Sequence, residues 1–153
     1  MSGARRRARE QALQVLFALD AQAAEGGEGT VEGALKTFFG ELGVGEDDVD
    51  ASIAESEVRV FAEELVRGVQ TNREDLDRVL TAVSKNWRVE RMARVDRNIL
   101  RLGIYELKHQ PETPARVVIN EAIEVAKRFG AAESPAFVNG VLDRAATELG
   151  RSG

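Results

Sequence analysis

Apolar residues recur at the spacing of an α-helix along almost the whole chain, and this periodicity constrains the fold more than any other feature. Ala12, Leu16, Leu19 and Ala23 form one such face near the start of the chain. No segment alternates apolar and polar residues over a useful length, as a half-buried β-strand does. We therefore predict an all-α protein of roughly six or seven helices.

Five later segments show the same helical spacing, and a short helix is predicted after Thr30. The apolar faces of the five segments fall within residues 58–69, 76–83, 92–107, 119–126 and 138–145. Thr30, Asn72 and Ser134 are residue types that cap helices, and each stands at the start of a predicted helix. Trp87 falls in a short connection between two of the helices.

Length and composition exclude several classes of protein. The 153 residues make one domain of ordinary size, which buries about 70% of its unfolded surface. There is no cysteine, so disulfides and thiolate chemistry are excluded. No apolar run reaches the ~18 residues that a membrane span needs, and nothing after Met1 resembles a signal peptide. We expect a cytoplasmic protein that does not enter the membrane.

The residues that could carry catalysis are few. His109 is the only histidine, and the end of a helix, where it falls, favours a cation without any catalytic role. Glu121 and Glu124 share a helix face, but we expect them to be exposed and too alike to serve as acid and base. No glycine-rich phosphate loop and no metal-ligand spacing is present. The sequence predicts no enzyme, no cofactor and no metal site.

Charge is distributed unevenly, although the chain as a whole carries −5. Residues 1–10 carry +3, because Arg5, Arg6, Arg7 and Arg9 outnumber Glu10. Residues 25–64 carry −10. Arginine donates paired hydrogen bonds to phosphate and stacks on bases, and arginine-rich segments commonly recognise RNA. The cluster therefore indicates an RNA contact, whereas a solubilising terminus is the plainer alternative.

Three segments of the sequence resemble the NusB family of transcription antitermination factors. They are RRRAREQALQVLF at 5–17, VDRNILRLGIYEL at 95–107, and VVINEAIEVAKRFG at 117–130 with ESPAFVNGVLD at 133–143. The resemblance extends over the chain and is weakest between Gly26 and Glu55. It implies a single NusB-like domain of two packed three-helix halves. We expect residues 1–84, with the arginine cluster and a glycine- and acid-rich loop, to form one half, and residues 85–153 the other.

The resemblance also implies a function. Proteins of this family bind a single-stranded boxA element in ribosomal RNA leader transcripts together with the ribosomal protein NusE. The complex joins RNA polymerase and other Nus factors and suppresses termination. By similarity we expect this chain to be a non-catalytic RNA-binding antitermination factor.

The resemblance implies the following site residues. Those at family positions linked to RNA are Arg5, Arg6, Arg7, Arg9, Glu133 and Phe137. Phe137 could stack on a base or pack in the core, and Glu133, an acid beside the RNA path, should weaken binding. Lys127, one helix earlier, could contact phosphate or be an ordinary surface lysine. Phe17 and Asp96 match positions at the NusE surface, and we expect Phe17 to lie between core and interface and Asp96 to be exposed.

The stretch from Gly26 to Asp50 departs from the family pattern, because it is longer than the usual connection. Its negative charge would repel phosphate, so we expect it to lie away from the RNA surface or to be mobile. Two alternatives keep a helical fold: an RNA-binding adaptor in ribosomal RNA maturation, and a helical scaffold that self-associates as a homodimer. NusB-like domains also begin some ribosomal RNA methyltransferases, and we expect no cofactor-binding region after Gly153.

Overall fold

The structure, a computed structural model, describes residues 2–27, 29–40, 49–85 and 87–151. Within these residues the chain is all-α, which confirms the predicted fold class. The α-helices are α1 (Ser2–Ala24), α2 (Val31–Gly40), α3 (Val49–Thr71), α4 (Arg73–Ser84), α5 (Arg94–His109), α6 (Ala115–Phe129) and α7 (Ser134–Glu148). A short 3₁₀ helix, Val89–Arg91, precedes α5. No helix in the described ranges is long and apolar enough to cross a membrane.

The chain divides into two compact units, Met1–Gln70 and Thr71–Gly153. This division precedes the one expected at residue 84, because α4 packs against α5 and α7. The first unit therefore contains α1, α2 and α3. The second contains four α-helices in place of the three expected, since α4 belongs to it.

The first unit is built on α1, which begins at Ser2 and therefore includes the arginine cluster. Apolar periodicity places the start of this helix near Ala8, because the arginines before it carry no apolar pattern. Arginine is nevertheless a good helix former, so the helix extends through the cluster. Ala8, Ala12, Leu16 and Leu19 form its buried stripe. α2 packs against α1, and its own buried residues are Leu35 and Phe39.

The predicted helix caps have three different outcomes. The Thr30 hydroxyl accepts a hydrogen bond from the Gly33 amide at 3.0 Å, which confirms the cap of α2. Asn72 stands at the N-cap position of α4, but its side chain makes no capping hydrogen bond, so that prediction was wrong. Ser134 is the first residue of α7, and Glu133 stands at the N-cap position instead. The acidic residues at 46–48 lie outside the described residues.

The second unit is organised around α5. This helix is buried continuously from Asn98 to Leu107, and it contacts α4, α6 and α7. Gly103 permits the contact with α7, because a Cβ at that position would lie 2.8 Å from both δ carbons of Leu142. Such a distance is shorter than a van der Waals contact, so a larger residue at this position would require the Leu142 side chain to move.

A charged side chain of α5 is buried in this unit. Arg101 donates to the Asp77 carboxylate through Nε at 2.7 Å and through Nη2 at 3.0 Å, and its Nη1 donates to Asn98 Oδ1 at 3.3 Å. The bidentate geometry satisfies a guanidinium that is only 4% exposed. It also ties α4 to α5.

Removing the partner of Arg101 should destabilise the protein. In Asp77→Ala the buried guanidinium loses its counter-ion. Removing one partner of an ion pair lowers the free energy of unfolding by about 3 kcal/mol or more when both groups are buried. Because Asp77 is partly exposed, water replaces part of the interaction, and we expect the free energy of unfolding to fall by about 2 kcal/mol. The measurement is urea unfolding followed by circular dichroism.

The matched control is Arg78→Ala in the same helix. Arg78 forms a surface pair with Asp75 and its side chain is 76% exposed, so the loss should be below about 1 kcal/mol. Equal unfolding free energies for the two variants would contradict the structural role of the Arg101–Asp77 pair.

Candidate nucleic-acid interface

The arginine cluster occupies the first turns of α1, where α3 orders part of it. The guanidinium carbon of Arg5 lies 4.7 Å from the centre of the Phe61 ring, and that of Arg9 lies 5.9 Å from the same ring. The two arginines are four residues apart and so share one face of the helix. Cation–π attraction of this kind favours a guanidinium that stays over the ring.

The four arginines are not equivalent. Arg9 is 4% exposed, Arg6 is half-buried, and Arg5 and Arg7 are exposed. Arg7 forms an ion pair with Glu55, and both side chains in that pair remain 48% exposed. A pair this accessible to water contributes little stability, so Arg7 can exchange Glu55 for another anion. The exposed cations of the cluster are therefore Arg5 and Arg7, while Arg9 belongs largely to the packing of the unit.

A second group of predicted residues lies where α6 meets α7. Lys127 stands in the last turn of α6 and pairs with Glu124 at 3.2 Å, and its side chain remains mostly exposed. Glu133 occupies the N-cap position of α7 and is exposed. Phe137 follows one turn later and is half-buried. The fold thus brings these three residues to one end of the α6–α7 pair.

The turn between α6 and α7 is tight, and its geometry fixes this arrangement. The Ala131 amide donates to the Ser134 hydroxyl oxygen at 2.9 Å. A Cβ at Gly130 would lie 2.6 Å from both Cβ and Oγ of Ser134, so only glycine permits the close approach. The α6–α7 connection therefore presents Glu133 in a defined place.

Phe137 packs against an aromatic residue that the sequence interpretation left without a role. Its ring and that of Trp87 are 5.6 Å apart between centroids, with an interplanar angle of 70°, the edge-to-face arrangement that aromatic pairs prefer. Trp87 is 59% exposed. Phe137 is therefore only half-buried, and part of its surface packs against the exposed ring of Trp87. The signal in the sequence was the tryptophan flanked by basic residues.

The two residues expected at the partner surface are partly accessible. Phe17 is 38% exposed although Leu16 beside it is buried, so it lies at the edge of the core of the first unit, as expected. Asp96 stands in the first turn of α5 and is half-buried rather than exposed as the sequence suggested. One of its carboxylate oxygens is buried without a hydrogen-bond partner among the described residues.

Two of the rejected candidates also have defined positions. His109 is the exposed last residue of α5, and its ring centre lies 5.1 Å from that of Tyr105. Glu121 is buried, so the expectation of an exposed glutamate face on α6 was wrong there. The reason is that α6 packs against both α5 and α7, which leaves it little free surface.

Arg5, Arg6, Arg7, Arg9 and Phe17 belong to the first unit, and Lys127, Glu133, Phe137 and Asp96 to the second. Both groups combine basic side chains with an aromatic ring. The fold and these surfaces define an all-α protein with exposed side chains suited to binding a polyanion.

Comparison with known proteins identifies the family. The model described as the NusB family matches residues 6–147, and the chain belongs to that family. The transcription antitermination protein NusB of Myxococcus xanthus is 46% identical over 149 residues, which cover 97% of this chain and 99% of the relative. The protein of the same name from Geotalea uraniireducens is 48% identical over 145 residues, which cover 95% of each chain.

Solved structures share the fold. T. maritima NusB superposes with a TM-score of 0.76 at 33% identity, over 94% of this chain and 91% of that one. A structure of antitermination factors NusB and NusE in complex with double-stranded RNA gives a TM-score of 0.77 over 97% of this chain and 99% of that one. The second match has 23% identity, so it shows the fold alone.

Proposed function

We propose that this chain is a transcription antitermination factor that acts by binding RNA and a protein partner, without catalysis. The observation that carries the proposal is the family match, which extends over residues 6–147 together with relatives of the same name that align over nearly their full length. The RNA is a single-stranded boxA element of ribosomal RNA leader transcripts. The protein partner is the ribosomal protein NusE, and the complex acts in the cytoplasm with RNA polymerase and other Nus factors.

The described surfaces support an RNA-binding role. Arg5 and Arg7 are exposed on the first turns of α1, where each can donate paired hydrogen bonds to a phosphate. Lys127 supplies a further exposed cation in the second unit. Residues 25–64 carry −10, which limits binding to unrelated nucleic acid. Specificity then comes from contacts to the bases and from the protein partner, since phosphate contacts carry no sequence information.

The proposal is tested by fluorescence anisotropy of a labelled boxA RNA and of a scrambled RNA, with and without NusE. We expect the boxA RNA to bind more tightly and NusE to increase the difference. Equal binding of the two RNAs, with or without NusE, would contradict the proposed function.

The exposed arginines should determine how strongly salt weakens RNA binding. Each phosphate contact on a single strand contributes about 0.7 to the slope of log K against log salt concentration. The variant with Arg5, Arg6 and Arg7 changed to alanine should lose up to that amount for each contact removed. Arg9 is left in place because it is buried against Phe61.

Arg78→Ala is the control for this variant, because it removes an exposed cation from a surface with no proposed RNA contact. Its slope should equal that of the unchanged protein. An unchanged slope in the triple variant would show that the arginine cluster does not contact phosphate.

Neutralising Glu133 should tighten RNA binding. The exposed carboxylate at the start of α7 would repel a nearby phosphate by about 1 kcal/mol or less, so Glu133→Asn should improve the dissociation constant by up to about fivefold. Asparagine also suits an N-cap position, so the helix should be unaffected. Glu148→Asn, at the opposite end of α7, is the control and should leave the affinity unchanged. Weaker binding by Glu133→Asn would mean that Glu133 positions a neighbouring group.

Reversing the charge of Asp96 should weaken the NusE complex. Asp96 is only half-buried, so its carboxylate can pair with a basic residue of the partner, and charged hydrogen bonds contribute about 1.5–3 kcal/mol. We therefore expect Asp96→Lys to weaken NusE binding by at least tenfold in calorimetry and to leave the binding of RNA alone nearly unchanged. A thermal melt of Asp96→Asn checks that removing the acid from the first turn of α5 leaves the fold intact. Unchanged NusE binding by Asp96→Lys would remove Asp96 from the partner surface.

A further inference from the structure

The segment between α4 and α5 presents the single tryptophan of the chain among basic residues. Trp87 is 59% exposed, and Lys85, Arg88 and Arg91 around it in the sequence are all exposed. Only Glu90 opposes these cations, so residues 85–91 carry +2. An isolated exposed apolar residue needs no explanation. An exposed indole within a cationic segment, however, combines a ring on which bases can stack with positive charge that attracts phosphates, the two features by which proteins bind single-stranded nucleic acid.

Several hydrogen bonds hold the backbone at and before Trp87 in place. The Ser84 hydroxyl donates to the Trp87 carbonyl oxygen at 2.8 Å, and the Trp87 amide donates to the Ser84 carbonyl oxygen at 3.1 Å. Ser84 itself is buried. Arg144 of α7 donates through Nε to the Val83 carbonyl oxygen at 2.8 Å, which ties the end of α4 to α7. The connection is therefore fixed at the point where it carries the indole.

The edge-to-face contact with Phe137 supports the side chain in addition to the backbone. Because the two rings meet at 70° rather than in parallel, they do not stack on each other, and the exposed member of the pair is Trp87. Ordering a binding group before the ligand arrives reduces the entropy lost on binding. The arrangement is suited to a flat ligand that stacks on the indole.

We infer that Trp87 is a base-stacking residue for single-stranded RNA, with Phe137 as the residue that positions it and Lys85, Arg88 and Arg91 beside the flanking phosphates. The inference rests on the proposed function and names a contact that the family resemblance did not assign. It also changes the role expected of Phe137, which supports the stacking ring instead of providing it. The net positive charge of the segment favours an anionic partner, and the exposed indole favours a single-stranded nucleic acid among such partners, because its bases can stack on the ring.

The test uses the intrinsic fluorescence of Trp87, which no other tryptophan of the chain obscures. Unlabelled boxA RNA is titrated into the protein while indole emission is recorded, and anisotropy of the labelled RNA measures binding independently. Stacking should quench the emission with the same midpoint as the anisotropy change. Trp87→Leu should weaken binding by about 5- to 150-fold, the loss expected when one stacked base is released.

Control variants separate stacking from general loss of apolar surface. Val117→Ala removes another exposed apolar group from the same unit and should bind RNA normally. Trp87→Phe keeps an aromatic ring and should retain most of the affinity. Phe137→Leu should bind more weakly and quench less completely, because the indole loses its support. Thermal melts establish that each variant is folded, as the exposure of Trp87 leads us to expect.

RNAs with single abasic positions locate the contact. Removing the stacked base should abolish most of the quenching, while abasic sites elsewhere should preserve it. Quenching that survives at every abasic position would mean an indirect change around the indole, and the inference would be wrong.

The remaining outcomes separate the inference from the proposed function. Normal anisotropy with unchanged emission, together with normal binding by Trp87→Leu, would overturn the stacking role and leave RNA binding intact. Loss of NusE binding by Trp87→Leu at unchanged RNA affinity would make the indole a protein contact and would overturn it too. An absence of any anisotropy change with the unaltered protein would overturn both.

Discussion

The second unit depends on the burial of α5, a helix that is enclosed continuously from Asn98 to Leu107. Such a helix normally contains only apolar residues, because a buried charge without a partner costs several kcal/mol. Arg101 is accommodated because Asp77 and Asn98 satisfy its guanidinium. The pair brings α4 to the same core and explains why the boundary of the unit precedes α4. The ends of α4 and α7 that carry the candidate site are positioned by this packing.

The candidate site has the same relation to packing in both units. Aromatic residues support candidate side chains: Phe61 lies beneath Arg5, and Phe137 lies against Trp87. In each case a half-buried ring supports a more accessible group. Helix ends supply these positions because side chains there can leave the core while the helix remains packed. The proposed RNA contacts therefore need little reorganisation of the described residues.

Periodicity predicted most of the fold, because the buried faces of the helices are largely apolar. It could not place the start of α1, since Arg5 and Arg7 are helical without contributing to an apolar stripe. It also treated acids as exposed, although Glu121 is buried and Asp96 is half-buried. The burial of these acids depends on which helix packs beside them. The spacing of residues along one helix does not show which helices will pack against it. The role of Trp87 depends likewise on Phe137, which lies fifty residues further along the chain.

The ion pair between Arg7 and Glu55 would make the proposed phosphate contact of Arg7 a competition between two anions. A phosphate would compete with the Glu55 carboxylate for the Arg7 guanidinium, whereas Arg5 lies over the neutral ring of Phe61. Salt weakens the old pair as well as the new one. Neighbouring arginines of one cluster would thus differ in how much free energy each gains from the same phosphate chain. A glutamate on α3 would therefore adjust the affinity of the proposed RNA contact on α1 without touching the ligand.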